Sequence, residues 1–281
     1  MSQQFLKLVK GYLYRVIWKI EKKINSNFST QNSRPKVDIM QENEFSKEYM
    51  LFTDKIKKDK TVIGGPFLGL IYPNIKSYGS SFYPKLLGTY EAELSNFIKL
   101  FAKKNYDKIF VIGCAEGYYC NGLGLISNSS SIYCFDIDRN AINACEKMSA
   151  KNNLSNRVRN FNEEFLSDKF ITKRSDKVLI ICDIEGGEET LYTGQSIDKF
   201  NNVDLIIECH DYRSVGLTYK LSHLFSKTHN IENIRSIDDL YRPIYLENGS
   251  FVPNELTYNE KYRLMKEYRK AQMSWLILTK K

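Results

Sequence analysis

Four continuous apolar runs punctuate the chain, at 108–113 (KIFVIG), 131–136 (SIYCFD), 177–183 (KVLIICD) and 203–209 (VDLIIEC). Runs of this kind leave little room for a solvated face, so they predict strands of a parallel sheet covered on both sides. Helical patterns fill the gaps, at about 117–127, 139–152, 163–170, 186–195 and 216–227, and a weaker strand pattern lies at 157–161. Such alternation predicts a doubly wound α/β fold. The C-terminal part breaks the rhythm: strands are expected at 230–236 and 272–279, with a polar loop and a helix near 256–270 between them.

The first sixty residues read differently. Phe5, Leu8, Val9, Tyr12, Val16, Ile20 and Ile24 follow a 3.6-residue period, which predicts an amphipathic helix over 5–24 with a basic opposite face. Residues 25–60 are polar and irregular, with a short helix near 41–58. The organisation expected is a basic helix and polar linker over 1–60, then one domain over 61–281. The formal charge is +8, and residues 1–27 hold six basic groups and one acid. Most of the excess therefore belongs to this segment, so the main body is not read as a nucleic-acid binder. Two occupants fit the apolar face of the 5–24 helix: a membrane surface, or protein, whether its own domain or a partner.

No window approaches the ~18–20 apolar residues that a spanning helix needs. Lys7 and Lys10 interrupt what would be the core of a secretory signal. The six cysteines form no C-x-x-C pair and read as buried free thiols of a reducing compartment. The expectation is a cytoplasmic protein, on the inner membrane surface if the N-terminal helix meets lipid.

The stretch 108–136 carries the most chemistry. A strand ends in Gly113-Cys-Ala-Glu-Gly117, a helix follows, and a second strand ends in Asp136. Ligands of such folds lie over the carboxyl ends of the strands, and an acid at about this spacing accepts hydrogen bonds from ribose hydroxyls. Ala115 replaces the second glycine of the dinucleotide fingerprint, and no G-x-x-x-x-G-K-[ST] occurs, so a P-loop is excluded. A ligand with ribose and adenine but no pyrophosphate fits, and S-adenosylmethionine meets that description. Asp138 is better placed than Asp136 to cap the next helix.

Seven segments occur in order: GPFLG (65–69), LLGTYEAEL (86–94), VIGCAEGYYCNGL (111–123), YCFDIDRNA (133–141), LIICDIEGGEE (179–189), LIIECHD (205–211) and EYRKAQMSWLILT (267–279). On these segments, over roughly 63–281, the chain resembles class I S-adenosylmethionine-dependent methyltransferases, in particular the FkbM-like group. The resemblance implies a Rossmann-like seven-stranded sheet, mostly parallel with the last strand antiparallel. It implies a methionine- and ribose-wrapping turn at Gly113, Cys114, Ala115, Glu116 and Gly117, and Asp136 on the ribose. Ile137 would pack on adenine, Asn162 and Glu163 would face its amino group, and Asp183 would lie near the methyl donor. Thr89, Tyr90 and Glu91 would close over the cofactor. One departure is Val111, where relatives carry an acid. Glu116 is then expected to place negative charge near the methionine ammonium.

Two polar clusters end the fourth and fifth strands, Asp183-Ile-Glu185 and Glu208-Cys-His210-Asp211. His210 is the expected general base, since a neutral imidazole takes a proton near pH 7. Asp183, Glu185 or Asp211 would orient it. A metal-dependent alternative uses Asp183, Glu208 and Asp211, with Glu185 and His210, to hold a divalent ion such as Mg²⁺. The resemblance implies a sugar or other small-molecule acceptor, methylated on oxygen in glycan biosynthesis. Its pocket is expected from 66–88, the loop after 211 and 237–265, which carry Tyr72, Tyr78, Phe82, Tyr83, Tyr212, Tyr241 and Tyr245. A nucleic-acid methyltransferase and a non-catalytic module of the same fold are the competing readings.

Overall fold

The computed structural model describes residues 45–129, 131–165, 175–246 and 252–281. The helix expected at 5–24 and most of the one expected at 163–170 lie outside the described residues.

Seven strands form one sheet: β1 (Lys108–Ile112), β2 (Ser131–Phe135), β3 (Val158–Phe161), β4 (Val178–Cys182), β5 (Asp204–Cys209), β6 (His229–Arg235) and β7 (Ser274–Lys280). Their order is β3-β2-β1-β4-β5-β7-β6. β1 to β5 pair in parallel, and β7 runs antiparallel between β5 and β6. This is the doubly wound, mostly parallel arrangement expected from the four apolar runs.

The period-two alternation of each strand separates two cores. Ile109 and Val111, Leu179 and Ile181, Ile206, and Trp275 and Ile277 enter one buried cluster. Phe110 and Ile112, Ile180 and Cys182, Leu205 and Ile207, and Leu276 and Leu278 enter the other. The first is covered by α1 (Lys47–Asp59), α3 (Ser95–Ala102), α4 (Tyr118–Ile126) and α5 (Arg139–Lys151), through Ile56, Ile98, Phe101, Leu123, Ile142 and Met148. The second is covered by α6 (Glu188–Leu191) and α7 (Leu217–Phe225), through Leu191, Leu217, Leu221 and Phe225. Both faces of the central strands β1, β4 and β5 are dry, which is why they read as continuous rather than alternating apolar runs.

Ahead of the sheet, α2 (Phe82–Leu87) ends in Gly88. A Cβ on Gly88 would lie 2.0 Å from the Gly64 carbonyl oxygen, and one on Gly65 would lie 2.2 Å from the Gly88 oxygen. The GPFLG and LLGT segments therefore pack backbone on backbone. Between β6 and β7 come α8 (Arg242–Tyr245) and α9 (Tyr258–Met265).

Two helices are shorter than their patterns. The one expected at 186–195 is a single turn, α6, followed by a 3-10 turn at Ile197–Phe200, because the Ser196 hydroxyl bonds the Leu191 carbonyl and closes the chain. The one expected near 256–270 ends at Met265, since the Asp239 carboxylate accepts from the backbone N–H of Glu267 and Tyr268 and pulls the chain off the helix. That diversion carries Arg269 inward. Among the described residues no helix is long and apolar enough to cross a membrane.

Gly113 ends β1 at φ 79°, and a Cβ there would fall 1.6 Å from the Asp183 carbonyl oxygen. Gly113→Ala is expected to destabilise the fold by more than ~3 kcal/mol, because backbone must move to admit the methyl group. Chemical denaturation measures it.

Candidate functional site

The carboxyl ends of β1, β2, β4 and β5 lie at one edge of the sheet, and Asp136, Asp183, Glu208 and His210 stand there. The turn after β1 is shaped by backbone as much as by any ligand: the space left by Gly113 is filled by the Asp183 carbonyl, so this glycine joins two strand ends. Ala115 adopts the left-handed region (φ 47°), and its N–H donates to Asp136 Oδ2 at 2.9 Å. The Asp138 N–H donates to Asp136 Oδ1 at 2.8 Å. Asp138 itself caps α5, accepting from the Asn140 N–H at 2.8 Å. Each oxygen of Asp136 thus keeps acceptor capacity. Burial pushes its carboxyl pKa upward, against the two backbone bonds. Ile137 beside it is 77% exposed, an apolar side chain in the open. Asn162 donates to the Asp136 carbonyl at 3.1 Å, so it braces this loop, and Glu163 follows it, partly buried.

Glu116 is not brought to the cluster. It is buried, and Lys85 Nζ meets its Oε1 at 2.5 Å. Ser77 Oγ donates to Oε1 at 2.9 Å and the Tyr78 N–H to Oε2 at 3.0 Å. The carboxylate expected near an ammonium is instead neutralised by Lys85, and it ties residues 77–85 to the turn after β1. Lys85 also lies 4.9 Å from the Tyr90 ring centroid.

Glu91 and Asp183 are brought together with a residue the strand patterns did not reveal, Arg269. Its Nη2 donates to Glu91 Oε1 at 3.1 Å, its Nη1 to Glu208 Oε1 at 2.8 Å, and its Nε to Glu267 Oε2 at 2.7 Å. Its guanidinium lies 4.7 Å from the Trp275 ring centroid. Tyr119 donates its hydroxyl to Glu91 Oε2. Arg242, fully buried, pairs with Glu93 at 3.2 Å and with Glu267, and donates to the Thr89 carbonyl. Glu208 is thereby held by Arg269, and a small cavity of about 20 Å³ lies between Glu91, Tyr119, Asp183, Glu208 and Trp275.

Asp183 sits at the centre of this negative field. Burial pushes its pKa up to about 6, with Glu91, Glu185 and Glu188 adding to the rise and His210 opposing it. Its Oδ1 is buried without a hydrogen-bond partner among the described residues. Burial also raises Glu208 well above the usual carboxylate range, helped by Asp183 and Glu91 and opposed by Arg269.

His210 is only 2% exposed. Its Nδ1 lies 2.9 Å from Glu188 Oε1, and its Nε2 lies 3.5 Å from Asp183 Oδ1 and 3.8 Å from Glu185 Oε2. Burial pulls its pKa down, but Glu188, Asp183 and Glu185 outweigh that, and the net shift is upward. The partner on Nδ1 is Glu188, not one of the three acids expected to orient the ring. Glu188 is fully buried and also accepts from the Ile184 N–H at 3.1 Å. Glu185, at φ 54°, is turned toward Tyr212 and Arg213, with its Oε2 3.2 Å from Arg213 Nη2.

Asp211 is not part of this group: it accepts from the Thr218 N–H at 3.2 Å and from the Thr218 hydroxyl, fastening the start of α7. The expected metal set of Asp183, Glu208 and Asp211 is therefore not assembled. Asp183, Glu185 and His210 instead each offer a donor atom within 4.8 Å of the others.

The aromatics expected around an acceptor divide. Tyr72 is buried, 3.4 Å from Glu116, and belongs to the core. Tyr241 and Tyr245 pack on each other and are exposed. Phe82 and Tyr83 line a cleft of about 230 Å³ with Tyr49, Arg263, Lys266 and Tyr268.

No protein-family model matches the sequence, and no curated protein matches it. Solved structures resemble it at low identity. An S-adenosylmethionine-dependent O-methyltransferase from Thermotoga maritima is 15% identical over 65% of this chain and 63% of its own, with a TM-score of 0.40. An O-methyltransferase from Bacillus cereus bound to S-adenosylhomocysteine is 11% identical over 65% of this chain and 79% of its own, TM-score 0.40. A tRNA (m1A58) methyltransferase from Aquifex aeolicus is 13% identical over 77% of this chain and 75% of its own, TM-score 0.41. Similarity at this level fixes neither substrate nor mechanism.

Breaking the buried Lys85–Glu116 pair by Lys85→Met is expected to cost ~3–5 kcal/mol, since it strands a carboxylate in the interior. Lys85→Met with Glu116→Gln should regain most of that, because the amide still accepts from Tyr78 without a charge. Thermal unfolding of the two variants checks the difference.

Proposed function

We propose that this protein is an S-adenosylmethionine-dependent O-methyltransferase acting on a hydroxyl of a sugar or glycan precursor. The observation that carries the reading is the arrangement of the sheet's carboxyl edge. Asp136 presents acceptor capacity for ribose hydroxyls, the open side chain of Ile137 offers an apolar face for adenine, and Glu91, Asp183, Glu188 and Glu208 converge beyond them. Adenosine with a positively charged sulfonium and ammonium complements that sequence of environments. A buried excess of carboxyl groups is costly unless cations meet it, and a cationic ligand supplies them.

Bound there, S-adenosylmethionine supplies an activated methyl group. What the chain's residues then do is align an acceptor hydroxyl and take its proton. His210 is placed for this: Glu188 fixes the imidazole through Nδ1, leaving Nε2 on the side of Asp183 and Glu185. Alignment supplies much of the acceleration of such a displacement. The saccharide part of the reading is supported by the sequence resemblance and by the cleft of Phe82, Tyr83 and Tyr268, whose rings suit sugar faces.

A second reading of the proton step is favoured by the convergence of Asp183, Glu185 and His210. These residues would hold a divalent cation, which when bound acidifies the acceptor hydroxyl. Glu188 then serves as the outer partner of His210.

Calorimetric titration with S-adenosylhomocysteine tests the cofactor. Saturable binding is expected, weakened ~10–100-fold in Asp136→Asn through loss of charge-assisted bonds to ribose. Absence of binding to folded protein would refute the reading. His210→Ala should lower kcat for methyl transfer to the saccharide acceptor by ~10²–10⁴-fold while S-adenosylhomocysteine affinity holds. Activity that survives exhaustive chelation supports the base, and activity lost on chelation and restored by Mg²⁺ or Mn²⁺ supports the cation.

A further inference from the structure

Four of the six cysteines come from four different places in the sequence and meet in one spot. Cys114 follows β1, Cys120 lies in the first turn of α4, Cys134 is in β2 and Cys145 is in α5. All four are buried and none is in a disulfide. The sulfurs of Cys114, Cys120 and Cys145 lie within 4.8 Å of one another. Cys134 is buried beside this trio and interacts with its thiols, although its sulfur stands outside the 4.8 Å group. Two further details point to a sulfur-centred site. The Asn121 amide donates to Cys145 Sγ at 3.7 Å. A Cβ on Gly117 would lie 2.5 Å from that sulfur, so the turn holds it closely.

We propose that Cys114, Cys120, Cys134 and Cys145 form a structural tetrathiolate site for one Zn²⁺. Converging soft sulfur donors with no open face toward solvent match a closed zinc site. In such a site the sulfurs stand ~3.8 Å apart, as follows from Zn–S bonds of ~2.3 Å in tetrahedral array. The three nearest sulfurs need contract by no more than about 1 Å, and Cys134 must turn its sulfur in from beside them to complete the tetrahedron. The step is balanced without redox change. Four S–H bonds give up their protons to solvent as four Zn–S bonds form, leaving a doubly negative centre. The Asn121 amide and the first turn of α4, where the helix dipole favours anions, moderate that charge. Harder oxygen donors make up most of the Asp183–Glu185–His210 group, so the two sets differ in the metal they prefer.

The consequence is mechanical. Cys114 and Gly117 bracket the turn after β1, and the other thiols belong to β2, α4 and α5. Zinc there would clamp the turn that carries Ala115 against the strand that delivers Asp136. This holds whether or not the chain transfers methyl groups.

The test uses the full chain, without an affinity tag that binds metal, purified under reducing conditions. Stoichiometric zinc by elemental analysis, and a Co²⁺-substituted form with sulfur-to-cobalt charge-transfer and tetrahedral d–d absorption, are the results expected. Cys120→Ala and Cys145→Ala should each abolish that spectrum. Because either variant could unfold, the wild-type cobalt spectrum is decisive on its own. Failure of folded, reduced wild-type protein to take up zinc or cobalt overturns the proposal. So does a cobalt spectrum without sulfur ligation, which would place the ion elsewhere, or a disulfide among these four residues in freshly purified protein.

Discussion

Arg269 is the interaction on which the site's shape depends. One guanidinium joins Glu91 from the segment before α3, Glu208 from the end of β5, and Glu267 from its own strand approach. These residues are separated by up to 178 positions in sequence. With the Trp275 ring packed on it, the guanidinium is nearly removed from water. A buried ion pair contributes little net stability over apolar packing, but its loss strands the remaining charges. Its value here is geometric: it sets where three carboxylates point and so leaves Asp183 facing an incompletely neutralised field.

That field explains the rest of the site. Asp183 has its pKa pushed up to about 6 by burial and neighbouring acids. His210 is held from behind by Glu188 and faces Asp183 and Glu185. With Glu91, Glu188 and Glu208 buried and Asp183 partly exposed beside them, the strand ends offer a place for positive charge. The same edge, two strands along the sheet order, offers Asp136 and the exposed Ile137. A sulfonium-bearing nucleoside is the ligand whose parts match these surroundings in that order, and it is the basis of the proposed activity.

The middle of the sheet was legible because its strands are largely buried on both faces, so the runs around Phe110, Cys134, Ile180 and Ile206 announced themselves without alternation. Asp136 and Asp138 could be told apart because only the second stands in capping position before α5. Helix lengths were less legible: Ser196 and Asp239 stop two helices by side-chain bonds that periodicity does not register. The buried charges were the least legible. Lys85, Arg242, Arg269 and Glu188 look like surface residues in a sequence, since charged side chains are buried only when paired. Most of their partners lie far away in the chain, as for Glu188 in α6 and His210 after β5, 22 positions apart. Glu116 shows the converse, an acid correctly placed next to the turn but already claimed by Lys85.

The proposed activity requires the acid-lined carboxyl edge of this sheet to hold S-adenosylmethionine. The most direct measurement is a crystal structure of the protein with S-adenosylhomocysteine. Both ribose hydroxyls are expected on the Asp136 carboxylate, the adenine against Ile137, and the thioether sulfur directed toward Asp183 and His210. A ligand seated elsewhere, or one whose ribose leaves Asp136 untouched, would contradict it.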